Sequence, residues 1–279
     1  MFHFRTVTQW VGAIFIAICL LSGCVFASPP DYETDIVQIE CAADILQEEA
    51  ADFRRSVDET VQYYSEAGLL LHKPVTIVLA RNRKAFLTES ASRFGISEME
   101  VNRVGKGVDA LSGNRLIVIN VDGTPTPRQR MFLLAHELTH QYQRQIAGTK
   151  AVEVKWMLEG MAEAVGAQVV ARNGFMSVEQ YKANWQTGIC MAKNKPYLTQ
   201  LRTSQDWSIA LSVYGSGLTY KTAGLGNLIL LEQCGMQSVI KYFGEIGKGK
   251  SYNEAFQNAF DVEILQFERN MELFCRKVS

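Results

Sequence analysis

The sequence predicts an α+β fold, with a small β-rich first part followed by a mainly helical second part. Three observations carry that prediction. Two short β-branched runs fall before residue 122, helical spacing dominates after residue 126, and a composition of 47 % hydrophobic and 20 % charged over 279 residues supplies an ordinary globular core. A formal net charge of -1, from 28 basic and 29 acidic residues, lacks the basic excess that nucleic-acid binding requires. High apolar content and only six prolines exclude a disordered chain.

The first segment reads as an address rather than as part of the fold. Arg5 is the only charge before Asp31, and Trp10 to Leu21 is a compact apolar run, the pattern of a secretory signal peptide. Leu21-Ser22-Gly23-Cys24 has the form of a bacterial lipobox, in which Cys24 becomes a lipidated N-terminus. Val25-Phe26-Ala27 has the form of an ordinary cleavage site, and an uncleaved anchor is the third option, although twelve apolar residues are short for a span of about 20. The expected organisation is a signal peptide over 1–27 and one domain over 28–279. The domain is exported, whether periplasmic, outer-membrane-associated or secreted, with membrane contact only through a lipid at Cys24. Loss of Arg5 brings the mature charge to -2.

In such a compartment Cys41, Cys190, Cys234 and Cys275 are available for two disulfides. Of the three connectivities, Cys190 with Cys234 and Cys41 with Cys275 is the preferred set. Four buried thiols are the alternative.

Along the mature chain, apolar residues from Ile36 through Ala43, Phe53 and Val57 to Tyr64 recur at helical spacing and predict one long helix that ends at Gly68. Pro74 to Ala80 reads as a strand, Ala85 to Phe94 as a short helix, and Asn114 to Val121 as a second strand. Helices are then expected over about 127–146, 154–171, 178–191, 216–233, 236–243, 251–259 and 261–276. The stretch from Asn194 to Ser212, with Pro196, Tyr197 and Trp207, is left between them as a lid or as packing.

His136-Glu137-Leu138-Thr139-His140 is an H-E-x-x-H motif on the first of these later helices. Thr126, Pro127 and Gln129 supply a capping-box start, and Met131 to Ala135 make the helix heavily apolar. Residues four apart stand one above the other on a helix face, so both imidazoles reach a single ion. Glu137 is then placed to take a proton from water beside that ion. The chain has four histidines, the other two being His3 and His72, and position 146 is Ile, so the third ligand is expected to be a carboxylate. Trp156-Met157-Leu158-Glu159-Gly160-Met161-Ala162-Glu163 offers it: Glu159 follows His140 with 18 residues between them. Glu163, one turn on, is suited to accept the outer N–H of a ligand histidine. In isolation these two glutamates would read as a solvated helix face; their apolar neighbours argue against it.

At these residues the sequence resembles gluzincin metallopeptidases, the aminopeptidase type and the compact bacterial peptidase MA-like proteins. The latter likeness runs from about Val75 to Phe274, through Ala85-Phe86, Tyr214-Gly215 and the Glu254 to Phe260 segment. The resemblance implies a zincin-like fold, zinc held by His136, His140 and Glu159, Glu137 as general base, and a peptide or protein substrate. It also implies a tyrosine that steadies the oxyanion, with Tyr214 the first candidate and Tyr220 the second; Tyr214 also reads as a packing residue. The G-x-M-E-N signature by which aminopeptidases hold a free amine is absent, since Val108 to Asn114 stands at that place. The strand over 114–121 is the expected edge for an extended peptide. A zinc-containing envelope protein that binds peptides or is purely structural is the alternative function.

Overall fold

A computed structural model describes residues 32–33, 36–105 and 107–274. The leader, its lipobox, both processing sites and Cys275 lie outside the described residues. The architecture is α+β: a five-stranded sheet occupies the first part of the chain, and helices make up the rest.

The sheet contains β1 (Tyr32–Glu33), β2 (Val37–Cys41), β3 (Val75–Ala80), β4 (Ala110–Gly113) and β5 (Leu116–Asn120), in the order β1-β2-β3-β5-β4. The inner three strands are parallel, and β1 and β4 are antiparallel edges. The expected helix from Ile36 is therefore corrected at its start. Val37-Gln38-Ile39-Glu40-Cys41 alternates with period two, and pairing with β3 buries Val37 and Ile39 completely. The helix α1 begins only at Gln47 and runs to Glu66 (Gln47–Glu66). A second correction concerns the edge of the sheet. β5 lies between β3 and β4, so the strand predicted over 114–121 is interior and the four-residue β4 takes the edge.

The pleat sends Ile77, Leu79, Ile117 and Ile119 into the main core. Val78, Ala80 and Val118 face the other way and meet Phe86 of α2 (Arg83–Phe94) in a small second core. A short helix, α3 (Glu98–Val104), precedes β4.

The main core is built around α4 (Pro127–Ala147) and α5 (Lys155–Arg172). The capping box of α4 forms as predicted, with Thr126 and Gln129 bonding reciprocally. Arg130 ties this end to α1 through Asp52 at 2.9 Å and holds the Thr124 carbonyl at 3.0 Å. Ser56 Oγ donates to the Met131 carbonyl at 2.9 Å, and the Tyr64 and Tyr142 rings stack with centroids 3.9 Å apart. α5 is apolar on nearly all sides, as a helix enclosed by others must be. It lies between α4 and α8 (Ser216–Gly247), and two glycines set how closely. A Cβ on Gly160 would stand 2.3 Å from the Ala223 carbonyl oxygen of α8, and one on Gly166 3.1 Å from the Phe132 carbonyl oxygen of α4.

The remaining helices are α6 (Val178–Met191), α7 (Ser204–Tyr214), α9 (Tyr252–Phe260) and α10 (Ile264–Phe274). Gly235, at φ 75°, breaks α8 into two helical stretches, matching the two helices expected there. α7 occupies part of the stretch left open in the sequence: Thr203 caps it through Asp206, and Trp207 and Ala210 are buried. Neither preferred disulfide forms, since neither Cys41 nor Cys234 is disulfide-bonded. Cys190 is disulfide-bonded. Among the described residues no helix is long and apolar enough to cross a membrane.

Candidate metal centre

A cleft of about 1340 Å³ runs along α4, lined on its floor by Arg128, Phe132, His136, Glu137, His140 and Arg144. Successive lining residues are three or four apart or adjacent, so they mark one face of the helix. β4, α5, α6 and α8 supply walls.

At mid-length of that floor the structure brings together His136, His140 and Glu159, all buried. The two imidazole Nε2 atoms are 3.2 Å apart, and Glu159 Oε2 stands 3.6 Å from the first and 3.5 Å from the second. Four ligands about 2.0–2.2 Å from a tetrahedral zinc ion stand about 3.3–3.6 Å from one another. The triangle of three donor atoms therefore has the dimensions of one face of such a tetrahedron.

The outer nitrogens define the protonation. His136 Nδ1 lies 3.0 Å from Glu163 Oε1, so it carries the proton and donates. His140 Nδ1 lies 2.7 Å from Gln143 Oε1, and the amide nitrogen of Gln143 donates to the Leu158 carbonyl at 2.9 Å, which fixes which end of the amide accepts. With both Nδ1 atoms protonated, each neutral imidazole presents an Nε2 lone pair to the other and to a carboxylate. Three acceptors converging with no donor between them repel unless a cation fills the space. The residues thus fit a divalent metal, and the charge balance agrees. The carboxylates around it favour a cation at this point: burial opposes an imidazolium at His136, but Glu159, Glu163 and Glu137 outweigh it and push its pKa up to about 10, so without a metal ion a proton sits on Nε2, and a bound metal would take that proton's place and leave the imidazole neutral. Burial also disfavours the charge on Glu159, yet His140, His136 and Lys155 hold its carboxyl well below the usual range. Lys155 Nζ donates to Glu159 Oε1 at 3.0 Å, leaving Oε2 to face the histidines.

Every predicted residue of the motif is therefore in or at this cluster, and Glu163 makes the contact expected of it. Glu137 is buried and lines the cleft beside them. The tyrosines separate. Tyr214 ends α7, half-buried against the main core and outside the cleft lining. Tyr220 lines the cleft, its ring centroid 6.1 Å from that of His136 and packed edge-on against Trp207 at 5.1 Å. Burial and the carboxylates of Glu159, Glu163 and Glu137 raise the Tyr220 phenol far above its ordinary value, so it stays a neutral donor.

Gln143 and Lys155 were not legible as site residues beforehand. Each is one turn from a ligand, Gln143 three residues after His140 and Lys155 four before Glu159, and that spacing was the available signal.

No protein-family model matches the sequence, and no curated protein matches it. Among solved structures, the fold is similar to that of an M1 zinc metallopeptidase from Deinococcus radiodurans, crystallised as a point mutant. The likeness has 13 % identity and a TM-score of 0.49, over 88 % of this chain and 50 % of that one. The chain spans about half the length of that enzyme, and at this similarity the likeness identifies neither activity nor substrate.

Proposed function

We propose that the protein is a zinc-dependent peptidase of gluzincin type, hydrolysing peptide bonds in the cell envelope or outside the cell. The observation that carries this reading is the convergence of two imidazole lone pairs and one carboxylate oxygen beside Glu137 on the floor of an open cleft. A zinc ion held by His136, His140 and Glu159 would supply Lewis acidity to a carbonyl and acidify water to a pKa of about 7.

The chain's own groups do the rest. Glu137 accepts the proton of the attacking water and returns it to the leaving amine. Tyr220, held protonated by its surroundings, donates to the oxygen on which negative charge develops. Glu163 and Gln143 keep both histidines in the tautomer that leaves Nε2 free. β4 lines the cleft as the sheet's edge and is the strand beside which an extended peptide would lie. Arg144 braces it, its guanidinium donating to Ser112 Oγ and to the Ser112 and Gly113 carbonyls, each at 2.9 Å.

A structural zinc site normally closes with a fourth protein ligand. Among the described residues the cluster has three, and the cleft lies open beside them. That arrangement supports turnover over a purely structural role. Export rests on the leader sequence, with a lipid at Cys24 as the proposed link to the membrane. Metal analysis and peptide hydrolysis with and without chelator test the proposal: Glu137→Gln retains stoichiometric zinc and loses hydrolysis, and a Glu137→Gln protein that still cleaves overturns it.

A further inference from the structure

The cleft is cationic on a protein whose net charge is -1. Its lining holds Lys73, Arg128, Arg144, Lys155 and Lys221 against Asp109, Glu137, Glu159 and Glu163. Most of the acids are engaged. Glu159 is bonded to Lys155, Glu163 to His136, and Asp109 accepts from Asn120 Nδ2 at 2.8 Å. The cations differ. Arg144 is bonded to backbone carbonyls and Ser112 rather than to a carboxylate, and Lys73, Arg128 and Lys221 make no ion pair among the described residues. A divalent ion at the histidines would shift the balance further toward positive.

These charges flank the metal cluster along the length of the cleft. Arg128 is in the first turn of α4, eight residues before His136, or about 12 Å along the axis. Lys221 follows Tyr220, whose ring is beside His136. Lys73 lies toward the other end, where the backbone N–H of its neighbour His72 donates to Gln145 in the last turn of α4. From Arg128 to Arg144 the floor is about 24 Å long, which matches about seven residues of extended chain at about 3.3 Å each. The metal cluster sits within that length, with cleft-lining side chains of α4 on both sides of it, Arg128 and Phe132 before it and Arg144 after it.

We infer that the substrate is an extended, acidic segment of polypeptide, cleaved internally, with Asp or Glu within about four positions of the bond that breaks. The inference rests on the peptidase reading and adds its substrate class. Cations without a carboxylate partner along a cleft raise both the local concentration of an acidic chain and its affinity, and salt screens the effect over about 8 Å at physiological ionic strength.

The test has two arms on the full chain. Zinc-loaded wild type is given a mixed peptide library, and cleaved bonds are read by mass spectrometry; Asp and Glu are expected to be enriched within four positions on at least one side. Separately, Glu137→Gln protein is titrated with labelled decapeptides matched in length and apolar content, one acidic and one basic. The acidic peptide is expected to bind about tenfold more tightly at low salt, with the ratio shrinking as salt rises. Adding Arg128→Glu or Lys221→Glu, both solvent-accessible positions, is expected to cut that ratio by about fivefold each. Absence of any hydrolysis would sink the peptidase reading alone, since the binding arm still judges the charge. Equal binding of the two peptides, or cleavage without acidic enrichment, overturns this inference while leaving peptidase action intact.

Discussion

Gln143 is the position at which the geometry of the metal centre is most sharply testable. Its side chain is buried at 2 % exposure, accepts the His140 Nδ1 proton at 2.7 Å and donates to the Leu158 carbonyl at 2.9 Å, so one amide links a ligand histidine to the backbone just before the ligand glutamate. Gln143→Leu keeps the volume and removes both contacts. Two buried polar groups are then left without partners, at about 1–3 kcal/mol each, and stability is expected to fall by about 2–6 kcal/mol. Losing the group that orients a ligand histidine typically weakens metal binding about 10–100-fold, or about 1.4–2.7 kcal/mol. Gln143→Glu separates the two effects. Its carboxylate still accepts from Nδ1 but faces the Leu158 carbonyl without a proton to offer, so zinc affinity should be largely kept while stability drops. Competition with a chromophoric chelator measures the first quantity, and denaturant unfolding of the metal-free protein the second. Zinc affinity in Gln143→Leu within about twofold of wild type would refute the tautomer argument.

Two further outcomes follow from the same packing. Gly160→Ala places a methyl group 2.3 Å from the Ala223 carbonyl oxygen, so α5 and α8 must separate. Helix propensity alone favours alanine by about 1 kcal/mol, yet overpacking of about 1–3 kcal/mol is expected to prevail, lowering the melting temperature and the zinc affinity at neighbouring Glu159; a variant as stable as wild type with unchanged zinc affinity contradicts the close crossing. Tyr220→Phe should lower kcat by about 10²–10³-fold with zinc content unchanged, whereas Tyr214→Phe should stay within about twofold; the reverse ranking in steady-state assays would return the oxyanion role to Tyr214.

The sequence made some elements plain and hid others for identifiable reasons. α4 announced itself because capping box, N-terminal proline and apolar face agreed over 21 residues. β2 was hidden because Ile36, Ile39 and Ala43 happen also to fit a helical spacing that continues into α1. Five residues of period-two alternation could not outweigh twenty of genuine helix beyond them. β4 is four residues of Ala-Leu-Ser-Gly with little β propensity, and it exists because β5 pairs with it and Arg144 and Gln141 hold its carbonyls from α4. An edge strand held by side chains from another element leaves no local trace in its own residues. The disulfide pairings failed for a related reason, since no spacing rule encodes which cysteines a helical packing brings together.

The metal cluster shows the same division within a single site. The three residues of the cluster were legible because metal chemistry restricts residue types and a helix restricts spacing: two histidines four apart, in a chain with only four, leave few alternatives. The groups that orient those ligands obey no such restriction. Gln143 and Lys155 are types that helices carry on solvated faces by the dozen, and only their partners, the Leu158 carbonyl and the Glu159 carboxylate, distinguish them here. Glu163 was accessible because it shares a face with Glu159, whereas Gln143 required knowing that α5 passes beside α4 closely enough to offer the Leu158 carbonyl. That closeness is in turn set by glycines at 160 and 166, which carry no chemistry of their own. The reach from ligand to tautomer thus depends on helix separation, and it is at Gly160, next to Glu159, that a single methyl group should disturb the packing and the metal centre together.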